Sequence, residues 1–294
     1  MGAQELGRKC WGRVNTPPIA CTIAGTDSGG SAGLAADLAS FAAHRVHGVF
    51  AVSVVTAQNT TGIVASSPMP AAFVGSQIDA LTADFDIVAT KTGMLYSPDV
   101  VAQVTERVED LGHLVVDPVL VSSNGSPIFD EKMQAAYVEQ LFGHAAVITP
   151  NVAEASLLTS LPITNHEDAA LAASRLREMG AERVLVTGLL VEHESIDVFC
   201  DEFGVTVSSR SRIATENVLG TGCSLSAAIT ALVARGWPLR DAIDSAAEYV
   251  HVGIVGGSDW KLGSGRGPID HFAPSLPKPT GLSGQDPLEE GHHV

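Results

Sequence analysis

Short apolar runs recur along the chain and alternate with longer segments of helical periodicity. Most of the runs are too short for helices and are rich in Val and Ile, which predicts strands. They lie at Ile19–Ala24, Val49–Thr56, Ile87–Thr90, Leu114–Val116, Ala145–Thr149, Val184–Val186 and Ile196–Cys200. Strands and helices that alternate in this way predict an α/β fold with three layers, in which helices cover both faces of a mostly parallel sheet.

Two segments between these runs carry apolar residues at helical spacing. One stripe consists of Leu34, Leu38 and Phe41, and a second of Leu225, Ile229, Leu232 and Val233. The exception to the alternation is the stretch 196–208, in which two short strands flank Asp201–Gly204. This pattern predicts a small hairpin at one edge of the sheet.

The amino-acid composition indicates that the chain forms one large α/β domain. The 294 residues are 45% hydrophobic but only 5% aromatic, which suits β-branched strands covered by alanine-rich helices. We assign residues 18–272 to the domain. Residues 1–17 are polar and are expected to form a flexible arm, and residues 273–294 are rich in Pro and Gly and are expected to form a disordered tail.

Charge and cysteine usage exclude several classes of function. A net charge of −16 argues against nucleic acid as a partner, so that any phosphate ligand must meet a few local cations, backbone N–H groups or Mg²⁺. No apolar run approaches the length of a membrane span. Cys10, Cys21, Cys200 and Cys223 show no zinc spacing. We therefore expect reduced thiols in a cytoplasmic protein.

Ligands of open α/β sheets bind beyond the carboxyl ends of the strands. The residues that follow the predicted strands are rich in glycine and polar side chains, as expected for a ligand site. They lie at Gly25–Gly33, Gln58–Thr60, Lys91–Met94, Asp117, Asn151–Glu154, Thr187–Gly188 and Gly220–Cys223.

The turn Gly220–Cys223 immediately precedes the second apolar stripe. Its glycines permit a tight turn, and the first N–H groups of a helix bind anions well. At this position a thiolate is also favoured, so the pKa of Cys223 is expected to fall below its ordinary value. A glycine-rich connection that carries a small buried cysteine accounts for the pattern equally well.

Two further groups of residues have both a functional and a structural interpretation. The loop Gly25–Gly33 is richer in glycine than a tight turn requires, but it is neither a Walker A sequence nor a regular Gly-x-Gly-x-x-Gly motif. Asp117, Asn151 and Glu154 at strand ends suit Mg²⁺ beside phosphates, although Asn151 could equally cap a helix. Lys91 follows a strand and could pair with a phosphate or a carboxylate.

Taken together, these segments resemble the hydroxymethylpyrimidine and phosphomethylpyrimidine kinases of thiamine biosynthesis, which are members of the ribokinase-like superfamily. The likeness runs from about Ile19 to His271. It rests on AGTDSGGSAGLAADLASF (24–41), VVTAQNT (54–60), KTGML (91–95), DPVLV (117–121), ITPNVAEASLL (148–158), GTGCSLSAAI (220–229) and GRGPIDHF (265–272). Other members of the superfamily usually carry Asp in place of Cys223, so the cysteine indicates the pyrimidine branch or a related pyridoxal kinase.

The resemblance implies a role for each matching residue. Cys223 would act as, or stand in for, the base that takes the proton of the substrate hydroxyl, and Gly220, Thr221 and Gly222 would stabilise the transferring phosphoryl group. Substrate binding would fall to Gln58, Asp37, Gly25 and Met94. Nucleotide binding would fall to Asp117, Asn151, Glu154, Thr187 and Gly188, with Asp117 and Glu154 managing Mg²⁺ and ATP as the co-substrate.

The chain departs from the family pattern at three places near the expected nucleotide. Thr187-Gly188-Leu189-Leu190 stands where the family usually has Lys-Gly-Gly-His, and Ser122-Ser123-Asn124 where a Lys usually follows the Asp-Pro-Val motif. Leu219 replaces a common His. Each lost charge-assisted contact would weaken nucleotide binding by roughly 1.5–3 kcal/mol.

Three functions are therefore compatible with the sequence. The first is ATP-dependent phosphorylation of hydroxymethylpyrimidine, its monophosphate, or both. The second is a pyridoxal or pyridoxine kinase, whose substrate is also a flat nitrogen ring with a primary alcohol. The third is a non-catalytic pyrimidine-binding relative, which the missing cationic residues would explain. The edge hairpin and the low aromatic content are compatible with a homodimer.

Overall fold

The structure is a computed structural model that describes residues 16–122 and 127–273. Its centre is one nine-stranded sheet with the strand order β3-β2-β1-β4-β5-β6-β7-β8-β9. The strands are β1 (Ile19–Gly25), β2 (His47–Asn59), β3 (Gly62–Pro68), β4 (Ile87–Thr92), β5 (His113–Val116), β6 (Ala145–Ile148), β7 (Val184–Val191), β8 (Glu194–Asp201) and β9 (Gly204–Ser211). Six strands run parallel, namely β2, β1, β4, β5, β6 and β7 in their order across the sheet. Strands β3, β8 and β9 pair antiparallel with their neighbours.

Eight α-helices flank the sheet in the described residues. They are α1 (Gly33–Ala43), α2 (Ala71–Thr82), α3 (Pro98–Thr105), α4 (Glu131–Ala136), α5 (Val152–Thr159), α6 (His166–Glu178), α7 (Thr221–Ala234) and α8 (Leu239–Gly257). Helices α2 to α6 share one apolar cluster with the sheet, whereas α1, α7 and α8 contribute to two other clusters. The predicted three-layer architecture is confirmed.

Strand β5 shows how the sequence divides its residues between the two faces. Successive side chains of a strand point in opposite directions. Leu114 and Val116 join the cluster with α2 to α6, whereas Val115 joins the cluster with α7 and α8. All three residues are buried, which explains why this strand reads as a continuous apolar run rather than an alternating one.

Each of the seven apolar runs lies in a strand, although Ala145–Thr149 extends one residue beyond β6. The predicted hairpin is also confirmed, because β8 and β9 pair antiparallel at one edge of the sheet. Strand β3 at the opposite edge was not predicted. Its residues are all exposed, so no buried face imposes an alternating pattern on its sequence.

The proposed arm and tail lie almost wholly outside the described residues, so the domain boundaries stay a prediction. Cys10, Ser123 and Asn124 also lie outside them. Among the described helices, none has the length and apolar character that crossing a bilayer requires. The described cysteines, Cys21, Cys200 and Cys223, are free thiols.

Candidate active site

Two glycine-rich loops are packed together where β1 and α7 meet. Gly220 precedes α7 with a φ of +82°, and a Cβ there would overlap the carbonyl oxygen of Ser31 in the other loop. Only glycine satisfies both conditions. No side chain caps this end of α7, so the first N–H groups of the helix are available to an anion.

Asp27 organises the first of these loops, β1 to α1. One of its carboxylate oxygens accepts a hydrogen bond from the N–H of Gly29 at 2.7 Å, and the other accepts from Ser31 at 3.0 Å and Ala32 at 2.9 Å. The side chain is buried. Sequence reasoning assigned Asp27 no role, although an aspartate within a run of glycines is a known signal for such a turn.

Cys223 lies in the first turn of α7, where its sulfur faces the N–H of Gly33. The expected low pKa is wrong for this environment. Burial raises the pKa of the thiol to about 12, and the nearby carboxylates of Asp37 and Asp117 add to the effect, which exceeds the opposing effect of the Lys91 ammonium. Cys223 is therefore a neutral thiol at pH 7 in the ligand-free protein.

Lys91 at the end of β4 lies beneath this turn and is fully buried. Its Nζ donates to the two carboxylate oxygens of Asp37 at 2.8 and 3.0 Å and lies 3.8 Å from Asp117 Oδ2. Thr22 Oγ1 donates a further hydrogen bond to Asp37 at 2.6 Å. The carboxylates raise the pKa of Lys91 in spite of its burial, so the side chain is charged.

This network corrects the assignment of Asp37 to the substrate. Its side chain has no exposed surface and its oxygens are occupied by Lys91 and Thr22. Asp37 therefore cannot touch a ligand in this structure. It supplies the countercharge for Lys91, and Lys91 pairs with a carboxylate rather than a phosphate.

The acidic residues at the ends of β5 and β6 converge. Asn151 and Glu154 form a capping box at the start of α5, in which Glu154 Oε2 accepts from the Asn151 N–H at 3.0 Å. Glu154 Oε1 accepts from the Leu120 N–H at 3.2 Å, and Asp117 Oδ2 accepts from the Ser226 hydroxyl at 3.1 Å. Burial and the charge of Asp117 raise the pKa of Glu154 to about 8.

The capping role expected as the alternative for Asn151 is thus confirmed. The described residues contain no cluster of three or more His, Cys, Asp or Glu side chains placed to hold an ion. Asp117 and Glu154 alone supply hard oxygen ligands, and their mutual repulsion is the kind that a divalent cation relieves. They fit an ion that keeps most of its water ligands.

Gln58 lies where the pairing of β2 and β3 shifts register, between Ala57 and Gln58. Such a bulge redirects the side chains of the strand. The Gln58 side-chain oxygen accepts from the Thr56 hydroxyl at 3.3 Å, and its backbone contacts the Ser28 hydroxyl at 2.7 Å. The residue is half-buried, so the rest of its amide is available to a ligand.

Gly25 and Met94 lie together at the ends of β1 and β4. A Cβ on Gly25 would approach Val54 Cγ1 to 2.7 Å and Met94 Sδ to 3.8 Å. The Met94 carbonyl accepts a hydrogen bond from the Ser53 hydroxyl at 2.5 Å. The structure therefore brings Gly25 and Met94 to one place, as the sequence predicted.

A cleft of about 310 Å³ opens on the other side of the α7 turn. Thr187 and Gly188, which the sequence analysis assigned to the nucleotide, line it together with Thr221 and Gly222. The sequence analysis missed the basic residues of this cleft, which are Arg210, Arg212, His251 and Arg266. Their signal in the sequence was weak, because they come from segments far apart in the chain.

The segment that follows α8 crosses the β2–β3 turn and carries Arg266. The Arg266 N–H donates to the Thr60 carbonyl at 3.0 Å, and the Gly267 N–H donates to Asn217 Oδ1 at 3.0 Å. The Leu219 N–H donates to the Gly267 carbonyl at 3.0 Å. This crossing joins the Gln58 side of the site to the cleft.

The sequence of the chain is similar to those of known kinases. The family described as phosphomethylpyrimidine kinase matches residues 27–270 of the chain. A hydroxymethylpyrimidine/phosphomethylpyrimidine kinase from Rhizobium meliloti is 40% identical over 257 residues, which cover 86% of this chain and 97% of the relative.

Solved structures agree in fold. The pyridoxal kinase of Bacillus subtilis, solved as an ADP complex, superposes with a TM-score of 0.81 at 32% identity and covers 88% of this chain and 98% of its own. A phosphomethylpyrimidine kinase from Clostridium difficile superposes with a TM-score of 0.70 at 30% identity, over 80% of this chain and 98% of its own.

Proposed function

The chain belongs to the phosphomethylpyrimidine kinase family, and we propose that it is an ATP-dependent kinase of 4-amino-5-hydroxymethyl-2-methylpyrimidine, of its monophosphate, or of both. The observation that carries the proposal is the position of the Gly220–Cys223 turn. Thr221 and Gly222 of the turn line the arginine-lined cleft, and Gly220 packs against Ser31 of the loop whose Ser28 hydroxyl donates to the Gln58 carbonyl. A phosphoryl group that passes from donor to acceptor would meet the turn on this path.

ATP occupies the cleft in this proposal, with its terminal phosphate against the first N–H groups of α7. The volume of about 310 Å³ and the basic lining support a nucleotide. Thr187 and Gly188 contact the nucleotide at the end of β7. Gly220, Thr221 and Gly222 stabilise the charge of the phosphoryl group in flight, because their N–H groups need no reorganisation during the reaction.

The pyrimidine lies on the opposite side of the turn, against Gln58, Gly25 and Met94. The amide of Gln58 can both donate and accept, which matches the edge of an aminopyrimidine. Gly25 packs closely against Val54, since a Cβ at this position would approach Val54 Cγ1 to 2.7 Å. Asp37 contributes indirectly through Lys91.

Cys223 lies beside the acceptor hydroxyl and orients it. Because the pKa of the thiol is raised, Cys223 does not act as a strong base in this proposal. It stands in the position of the base and orients the hydroxyl. The acceptor oxygen forms its bond to the γ-phosphorus as the bond from that phosphorus to ADP breaks, and the hydroxyl proton leaves to water. A loose transition state tolerates late proton loss, because catalysis rests mainly on positioning and charge stabilisation.

Asp117 and Glu154 would hold Mg²⁺, and the ion would supply charge neutralisation to the phosphates when bound. Both Glu154 oxygens accept backbone hydrogen bonds, from the N–H groups of Leu120 and Asn151, which fix the carboxylate in place. Asn151 holds Glu154 in place.

A pyridoxal or pyridoxine kinase is the second candidate. It is supported by the likeness to the pyridoxal kinase of Bacillus subtilis, at 32% identity over nearly the whole of that chain. The family match and the 40% identity to the Rhizobium meliloti relative favour the pyrimidine.

The setting of the enzyme is also part of the proposal. We place it in the cytoplasm, where free thiols such as Cys21 and Cys200 persist. The wholly exposed edge strand β3, with Val64 80% exposed, is the surface through which two copies would form a homodimer.

A substrate panel tests the proposed function. The purified chain is incubated with Mg-ATP and hydroxymethylpyrimidine, its monophosphate or pyridoxal in separate reactions, and ADP release is followed. Release with either pyrimidine supports the proposal, whereas release with pyridoxal alone moves the chain to the second candidate. Pyrimidine binding without ADP release would instead identify a non-catalytic relative.

A further inference from the structure

The phosphates of the proposed nucleotide need cationic partners that the strand ends do not supply. Thr187 lines the cleft and Leu219 immediately precedes the turn, and neither side chain carries a charge. The chain as a whole carries a net charge of −16. The partial positive charge at a helix N-terminus is only about half a unit, which cannot balance a polyphosphate. Other cations of the cleft must therefore contribute.

Three arginines line the cleft, and Arg210 faces carboxylates of the protein itself. Arg210 lies 3.9 Å from Asp197 Oδ2 and 3.7 Å from Glu248 Oε2, and it donates to the Asp244 carbonyl at 3.3 Å. Asp197 itself lines the cleft, so Arg210 mainly offsets that carboxylate. The positive charge of Arg210 is therefore largely balanced by these carboxylates.

Arg212 differs from Arg210 although both lie at the end of the same hairpin. Arg212 is exposed, and in the part of the chain that the structure describes it forms no ion pair. Its backbone N–H donates to the His193 carbonyl at 2.8 Å. The residue thus has an anchored backbone and lines the cleft.

Arg266 reaches the cleft from the crossing segment. Hydrogen bonds from the N–H groups of Gly265, Arg266 and Gly267 fix its backbone, with acceptors in Thr60 and Asn217 at 3.0 to 3.1 Å. Arg212 and Arg266 therefore line the same cleft as Thr221 and Gly222 from two separately anchored segments.

We propose that Arg212 and Arg266 bind the phosphate chain of the nucleotide and supply the positive charge that Thr187 and Leu219 do not provide. A planar guanidinium suits phosphate oxygens because it can donate two parallel hydrogen bonds. The inference rests on the proposed function only for the identity of the ligand as an adenine nucleotide. In this proposal the cations that contact the phosphates come from the end of the β8–β9 hairpin and from the segment after α8. They do not come from the ends of the parallel strands.

The test compares nucleotide binding by arginine variants of the full chain. Isothermal titration gives the Kd of MgADP and of adenosine for the wild type, Arg212→Met, Arg212→Lys and Arg266→Met. Arg235→Met is the matched control, because Arg235 lies at the far end of α7, about 20 Å from the turn. Adenosine lacks phosphates and reports only on the nucleoside part of the cleft.

We expect Arg212→Met and Arg266→Met each to raise the Kd of MgADP by about tenfold or more. The Kd of adenosine and the control variant stay within twofold of wild type, and Arg212→Lys recovers part of the loss. An unchanged Kd of MgADP in both methionine variants, or an equal loss for adenosine, would overturn the inference. If the wild type binds MgADP as expected but phosphorylates none of the panel, the proposed function fails and this assignment stands.

Discussion

The buried Lys91–Asp37 pair gives a prediction whose size and pH dependence both follow from the structure. Lys91→Met removes an ammonium that lies 2.8 and 3.0 Å from the two oxygens of Asp37. Both side chains are fully buried. Asp37 then keeps only the Thr22 hydroxyl, at 2.6 Å. Breaking a buried ion pair from one side costs about 3–5 kcal/mol, because a charge stays in a low-dielectric interior without its partner.

Protonation of Asp37 limits this cost and gives it a pH dependence. Burial raises the pKa of Asp37, and Lys91 is the main group that lowers it. In Lys91→Met the carboxyl stays protonated when folded, whereas it ionises near pH 3.9 when unfolded. The folded variant therefore holds one proton more than the unfolded chain above that pH. Its stability relative to wild type falls by about 1.4 kcal/mol per pH unit, which amounts to about 4 kcal/mol at pH 7.

Urea unfolding at pH 5, 6, 7 and 8 measures the effect. The free-energy difference between wild type and Lys91→Met should grow steadily with pH. The double variant Lys91→Met/Asp37→Asn is the control, because it lacks the titrating carboxyl. Its free energy of unfolding relative to wild type should lack the fall of about 1.4 kcal/mol per pH unit. A difference that does not change with pH would show that Asp37 takes up no proton in the folded variant and would refute the reasoning.

The remaining predictions concern the site itself. Cys223→Ala should lower kcat by about 10²-fold while the thermal midpoint stays within a few degrees of wild type, and wild-type turnover would exclude a role for the thiol. Gln58→Ala should raise the Kd of hydroxymethylpyrimidine by up to about tenfold and leave that of MgADP unchanged; equal losses would contradict its placement. Since burial raises the pKa of Cys223 to about 12, alkylation of a Cys10→Ser variant by iodoacetamide should still accelerate between pH 8 and 10. A plateau near pH 9 would indicate an ordinary thiol.

The strands were predictable because burial on both sides leaves a direct mark on the sequence. Val115 and its neighbours are apolar whichever face they meet, so β5 is evident as a run. Strand β3 left no such mark, because each of its residues is exposed and its partner lies on one side only. An edge strand of this kind is specified by pairing rather than by burial.

The positions of the site residues were predictable, but their electrostatics were not. The turns at Gly25 and Gly220 follow from glycine and from the ends of strands, and they do meet in the structure. The pKa of Cys223 depends instead on burial and on Asp37 and Asp117, which are remote in the sequence. A local rule about helix N-termini therefore gave the wrong sign.

The arginines of the cleft show the same limit in another form. Arg212 follows an edge hairpin and Arg266 lies in a crossing segment, and neither comes directly after a strand of the parallel sheet. A search restricted to the ends of parallel strands could not find them. Arg266 joins Arg212 in one cleft because the segment after α8 folds back over Thr60.

The most direct test of the account is to identify the product. The purified chain is incubated with Mg-ATP and hydroxymethylpyrimidine, and the mixture is analysed by phosphorus NMR and mass spectrometry. We predict a phosphorylated pyrimidine in amounts that match the ADP released; a diphosphate would show that both phosphorylation steps occur on this chain. Unchanged pyrimidine and ATP would contradict the proposed function, whether pyridoxal is phosphorylated in its place or no substrate reacts.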